Sequence, residues 1–245
     1  MKEWLRYFQQ NKETRLEMPP AQKFCPEPVL RAPLIRSLRR FQLGESGEGR
    51  RLRLHAARTG DAAYEKCIDL FIKEEQNHAR MMAVILRSLA VPLLERHWSH
   101  ACFVFLRRLF GLEEELLTLL VPEMIAQRFF RALRDGTRDD GLRAVFNQII
   151  RDEDGHVAFH ADFLRRRLAG LPLLRRALLR AGWRVIFRAA CVAVILDHRT
   201  VLRAVGVSPA AFWWDCGLIF DEVAASLFRL GGEAALRFSL TGARV

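Results

Sequence analysis

Apolar positions along the chain recur mostly at three- and four-residue spacing, the period that lays one stripe of a helix against a core. Leu34, Leu38, Phe41, Leu52 and Ala56 trace a first helix from about Pro28 or Pro33 to Arg58, with Gly44, Gly47 and Gly49 weakening it near Glu45. Cys67, Leu70, Phe71, Met82 and Ile85 trace a second over about Ala62–Leu89. A third is predicted from about Arg108 to Arg134 with Pro122 inside it, and a fourth, carrying Val145, Ile149 and Phe163, over about Gly141–Leu168. The run Glu113-Glu114-Glu115 on the third reads as a solvated face without a metal role.

Prolines divide the rest. Residues 1–27 read as an N-terminal extension, with an amphipathic piece at Trp4–Gln10 followed by Pro19, Pro20 and Pro26. Ala90 to about Arg107 is the expected crossover, its His97 and His100 facing solvent or the link itself. Beyond Leu168, Pro172–Val205 reads as one long or broken helix, Gly206-Val207-Ser208-Pro209 as a turn with an N-cap, and Ala210–Leu230 as another helix. Trp183, Phe187, Phe212, Trp213, Trp214 and Phe220 give this C-terminal part more apolar surface than a solvated tail carries. It is expected to pack on a bundle, on a dimer partner or on a membrane, with a lid over an apolar channel as the alternative. The expected organisation is an extension (1–27), a four-helix bundle (28–168) and C-terminal apolar helices packed on it (169–245).

Two helices carry near copies of one stretch: Phe71-Ile72-Lys73-Glu74-Glu75-Gln76-Asn77-His78 and Ile149-Ile150-Arg151-Asp152-Glu153-Asp154-Gly155-His156. Each ends in Glu-x-x-His. Residues three apart share a helix face at ~4.5 Å along the axis, so Glu75 with His78, and Glu153 with His156, can each reach one metal ion. A single Glu-x-x-His arises by chance roughly 0.5 times in a chain of this composition.

The preceding helices add the stronger signal. Glu45 stands 30 residues before Glu75 and Glu123 stands 30 before Glu153, so both triplets map onto one another by an offset of 78. Thr59-Gly60-Asp61 and Thr137-Arg138-Asp139 are the matching turns, midway between the paired glutamates. Glu48 is the rival ligand on the first helix, but its counterpart is Ala126 and it misses that symmetry. His160, one turn past His156, matches Met82 in the first half and is a candidate outer-sphere or channel residue, the alternative being an ordinary core histidine.

Two such hairpins would bring four carboxylates and two imidazoles to mid-bundle. Without cations those carboxylates repel and resist burial, whereas divalent ions neutralise them. Hard oxygen donors with imidazole and no thiolate favour iron or manganese over structural zinc.

Composition narrows the partners. Five scattered cysteines without a C-x-x-C indicate neither disulfide framework nor zinc ribbon, and a reducing cytoplasm fits best. No secretory h-region occupies the first twenty residues, and the longest apolar run, Val185–Leu196, holds Arg188 and is too short to span a bilayer. The net charge of +11 comes from arginines spread along the chain without a reader motif. Nucleic acid is therefore disfavoured as a partner, and peripheral contact with acidic lipids is the better match.

These residues resemble the ferritin-like di-iron carboxylate superfamily over about positions 28–168, with Glu45, Glu75-x-x-His78, Glu123 and Glu153-x-x-His156 complete. The resemblance implies an all-α, ferritin-like four-helix bundle with a long crossover, here followed by extra C-terminal helices. It implies two Fe ions, with Mn/Fe or Mn as alternatives, held terminally by Glu45 and Glu123, bridged by Glu75 and Glu153, and ligated by His78 and His156. Asp152-Glu153-x-x-His156 is also similar to a segment of ribonucleotide reductase small subunits, which implies that Asp152 orients His78 and that Glu74 does the same for His156, a solvent-facing Asp152 being the alternative.

The implied activity is O2 activation at a dinuclear centre, acting on a small apolar or amphipathic molecule, with the electron donor unidentified and a homodimer open. With Tyr7 and Tyr64 as the two tyrosines, and neither expected beside the metals, a stable tyrosyl radical is disfavoured. An iron-oxidising, iron-binding protein without organic substrate and a membrane-peripheral metal-containing scaffold are the competing functions.

Overall fold

A computed structural model describes residues 1–18, 22–95 and 112–228, and among these every regular element is a helix. The elements are α1 (Lys2–Glu13), α2 (Pro28–Glu45), α3 (Arg50–Ala57), α4 (Ala62–Ser88), α5 (Leu112–Gly136), α6 (Asp140–Leu168), α7 (Leu173–Ala204) and α8 (Pro209–Phe228). The chain forms two compact units, Met1–Phe105 with Thr137–Gln148, and Leu106–Gly136 with Ile149–Val245. The expected crossover, with His97, His100 and the start of the third helix, lies largely outside the described residues, as does the chain after Phe228.

In the first unit α1, α2 and α3 all pack on α4. Leu30, Leu34 and Leu38 of α2, spaced by one turn, are buried, as are Ile68, Phe71 and Ile72 of α4. α4 begins where an N-cap is expected: Asp61 Oδ1 accepts from the Ala63 and Tyr64 amides at 2.9 and 3.0 Å.

The first half departs from the single helix expected up to Arg58. α2 stops at Glu45 and α3 starts at Arg50. Gly49, left-handed at φ 63°, makes the turn, and a side chain there would also run into Ile72. Three glycines in six residues each cost helix stability, and here the chain takes the break.

Residues 1–18 and 22–27 are built into the first unit. Phe8, Met18 and Phe24 are buried, and Glu27 accepts from the Arg138 amide at 2.6 Å.

In the second unit α7 packs on α5 and α8, and α8 also packs on α5. Buried Trp183 donates its indole N–H to the Leu117 carbonyl at 2.7 Å, fastening α7 to α5. α5 runs through Pro122 without ending. α7 is unbroken over 32 residues, and the turn after it carries Gly206 at φ 75° and the Ser208 hydroxyl accepting from the Ala211 amide at 3.1 Å.

Candidate metal site

Each unit gathers one of the two predicted triplets. In the first, one ligand atom each from Glu45, Glu75 and His78 lies within 4.8 Å of the others. Glu45 reaches the cluster from the last residue of α2, and α4 supplies Glu75 and His78 from adjacent turns of one face. His78 is fully buried, and its Nδ1 stands 3.7 Å from Glu75 Oε1. Glu48 is outside this group, exposed and paired with Arg50.

In the second unit Glu123 from α5 and Glu153 and His156 from α6 meet within the same limit. All three are buried. His156 Nδ1 lies 3.4 Å from Glu123 Oε2 and 3.6 Å from Glu153 Oε2. Glu123 Oε2 is shielded from solvent and makes no well-aimed hydrogen bond among the described residues.

The donor set is suited to a divalent cation. Separations of 3.4 to 3.7 Å are long for hydrogen bonds. They are of the size kept by two ligands that each bond a common ion at about 2.1 Å. A carboxylate oxygen buried without a well-aimed hydrogen bond keeps a lone pair available to a cation.

Electrostatics already prepare Glu123 for one. Burial alone would raise its carboxyl, but the Glu153 carboxyl and the His156 imidazole beside it, with the charge of His160, hold it down at about 2. Cys67 of α4 behaves in the opposite sense: desolvation pushes its thiol up to about 11, so it is a poor thiolate donor.

The neighbouring acids are also inside. Asp152 and Glu74 are completely buried, so neither is the solvent-facing residue weighed as the alternative for Asp152. Glu74 Oε1 accepts from Asn11 Nδ2 at 2.8 Å and from Arg15 at 3.1 Å. These two partners were missed in the sequence, where residues 1–27 read as an extension; the signal was the 3–4 spacing of Phe8, Asn11 and Arg15. Gln127, also missed, donates to the Glu153 carbonyl at 3.3 Å and ties α5 to the ligand turn of α6.

His160 is fully buried, 4.8 Å from the Phe159 ring, and close enough to Glu123 to influence its charge. The expectation for the acidic run of α5 needs correction. Glu113 accepts from Arg167 at 2.6 Å near the surface, but Glu115 is completely buried, because it lies on the inward face of α5.

Comparison with protein-family models, with curated proteins and with solved structures returned no match. Fold and site define a class: an all-helical protein with a buried carboxylate–histidine cluster that could bind a metal ion.

Proposed function

We propose that the chain is a ferritin-like di-iron carboxylate oxidase or oxygenase, acting on O2 and on a small apolar or amphipathic substrate. The observation that carries this reading is the repetition itself: the same Glu, Glu-x-x-His set, displaced by 78 residues, is gathered within 4.8 Å in each unit. Chance juxtaposition of acids on a surface does not reproduce that offset, nor does it bury a Glu, Glu, His set completely.

In this reading Glu45, Glu75 and His78 would hold one ion, and Glu123, Glu153 and His156 would hold the other. An iron pair bound there would supply, in its reduced form, the electrons for dioxygen chemistry. The chain's own residues do the rest. Buried Glu123, Glu153 and His156 keep their ion away from bulk water. Asn11 and Arg15 fix the carboxylate of Glu74, the residue before Glu75 in α4, and Gln127 steadies the turn that presents Glu153. His160 places an imidazole near Glu123, able to hold a proton at a ring nitrogen.

Purified protein loaded anaerobically with Fe(II) is expected to bind two irons per chain and to consume O2 on mixing, with a change in its near-ultraviolet absorbance. Failure to retain iron, or iron that meets O2 without reaction, removes the proposal. Size separates the iron-storage competitor: a 12- or 24-subunit shell supports storage, a monomer or dimer the enzyme.

A further inference from the structure

The second unit has a helix face that the metal site does not use. Trp183, Phe187, Cys191 and His198 form the buried side of α7. Opposite them, Leu174, Leu178, Val185, Val192 and Leu196 are exposed, Leu174 by 73% and Val185 by 69%. At 100° per residue these five fall within an arc of about 40° and extend roughly 33 Å along the axis. α8 adds exposed Trp214 and Leu218, one turn apart.

The first 24 residues of this helix carry charge of one sign. Between Leu173 and Leu196 stand Arg175, Arg176, Arg180, Arg184 and Arg188, and no acidic residue. Arg176 and Arg184 are turned away from the stripe, Arg176 buried and Arg184 paired with Asp221 at 2.6 Å, whereas Arg175 and Arg188 flank it on either side. Arg188 sits 4.4 Å from the Trp213 ring, which holds its guanidinium at the edge of the apolar face.

We infer that this face of α7 binds the anionic phospholipid surface of a membrane, with the aliphatic stripe at the acyl boundary and the flanking Arg175 and Arg188 taking headgroup phosphates. An aliphatic stripe with tryptophan at its margin and arginines along its edge is the arrangement that seats a helix between headgroups and acyl chains. Charge decides the occupant. Arg176 is buried and Arg184 is paired with Asp221, but exposed Arg175 and half-buried Arg188 flank the stripe and would meet their own copies across a second such face, whereas an acidic lipid surface complements them. No described helix is long and apolar enough to cross a membrane, and the contact proposed lies in the plane of the surface.

The full-length protein is sedimented with vesicles of phosphatidylcholine alone or with one third phosphatidylglycerol. Binding to the anionic vesicles is expected to be at least about tenfold tighter and to weaken with salt. Leu178→Glu combined with Val185→Glu is expected to weaken it by about tenfold or more with circular dichroism and metal content unchanged, since both positions are exposed. Val29→Glu, at an equally exposed apolar position of the first unit, leaves binding as it was. Equal partition onto neutral and anionic vesicles, or unchanged binding by the double variant, overturns the inference. So does a dimer on sizing that the double variant dissociates while vesicles bind nothing. Vesicle binding is read whether or not the protein carries metal, so the lipid and di-iron proposals fail independently.

Discussion

Glu45, Glu75 and His78 in the first unit and Glu123, Glu153 and His156 in the second share one spacing, yet they sit in different surroundings. The second set is buried throughout, while Glu45 and Glu75 are only partly covered. The cause lies one residue beyond the first ligand. After Glu45 the helix stops and the chain turns through Gly49, whereas after Glu123 the helix continues for more than three turns and brings Gln127, the counterpart of Gly49, to the Glu153 carbonyl. Equal ligand spacing therefore sets which atoms can meet, and the continuity of the flanking helix sets how dry the meeting place is.

If the two triplets hold iron as proposed, that contrast ranks their residues as ligands. Glu153→Ala is expected to lower Fe(II) affinity by more than about 100-fold, because no water can replace a fully buried carboxylate. Glu45→Ala, at a half-buried helix end, is expected to lose only about tenfold. Competition with a coloured chelator measures both, and equal losses would break the contrast.

The metal-free protein offers a second test. Glu123 is held at about 2 against an ordinary 4.5, so its ionised form is favoured in the folded state. Its contribution is fully present above pH 4.5 and is lost as pH falls toward 2. Glu123→Gln should therefore destabilise the metal-free protein at neutral pH by about 1–3 kcal/mol and flatten the acid limb of its stability curve. Denaturant titrations at several pH values measure this, and an acid limb unchanged by Glu123→Gln would contradict it.

The break in the first half can be tested directly. Gly49→Ala places a Cβ at φ 63° against Ile72 and is expected to cost about 1–2 kcal/mol or more, read as a lower denaturation midpoint. Gly47→Ala, with open space around it, should stay within about 0.5 kcal/mol.

The smallest effect separates the two turns, which repeat in detail. Thr59 and Thr137 hydroxyls accept from the amides of Asp61 and Asp139, and those aspartates cap the amides of Tyr64 and Leu142. Asp139 also accepts from the Cys25 amide at 2.6 Å. Asp61→Ala is expected to cost about 1 kcal/mol and Asp139→Ala somewhat more, measured by thermal unfolding.

Most helices and both triplets were legible because each rests on short-range rules. Hydrophobic period places α4, α6 and α7, Asp61 caps where a capping residue is expected, and Glu-x-x-His brings its two side chains together within a single turn. The glycines at 44, 47 and 49 were visible as weak points, but their summed cost is comparable to what packing returns. Whether the helix bends, breaks or runs on was then undetermined by pattern. Glu115 was misread because a run of three acids looks solvated, although successive helix positions face directions 100° apart.

The sequence by itself determined most of the helices, the 78-residue repeat and the two Glu, Glu-x-x-His triplets that the structure gathers, since these follow from periodicity and local hydrogen-bonding chemistry. Only the tertiary structure decided that α2 ends at Glu45, that Asn11 and Arg15 reach Glu74 some sixty residues away, and that one triplet is dry while the other is partly open. Those outcomes depend on which side chains and carbonyls become neighbours across long loops. Burial and polar partnership are properties of the packed chain and are not written in its period.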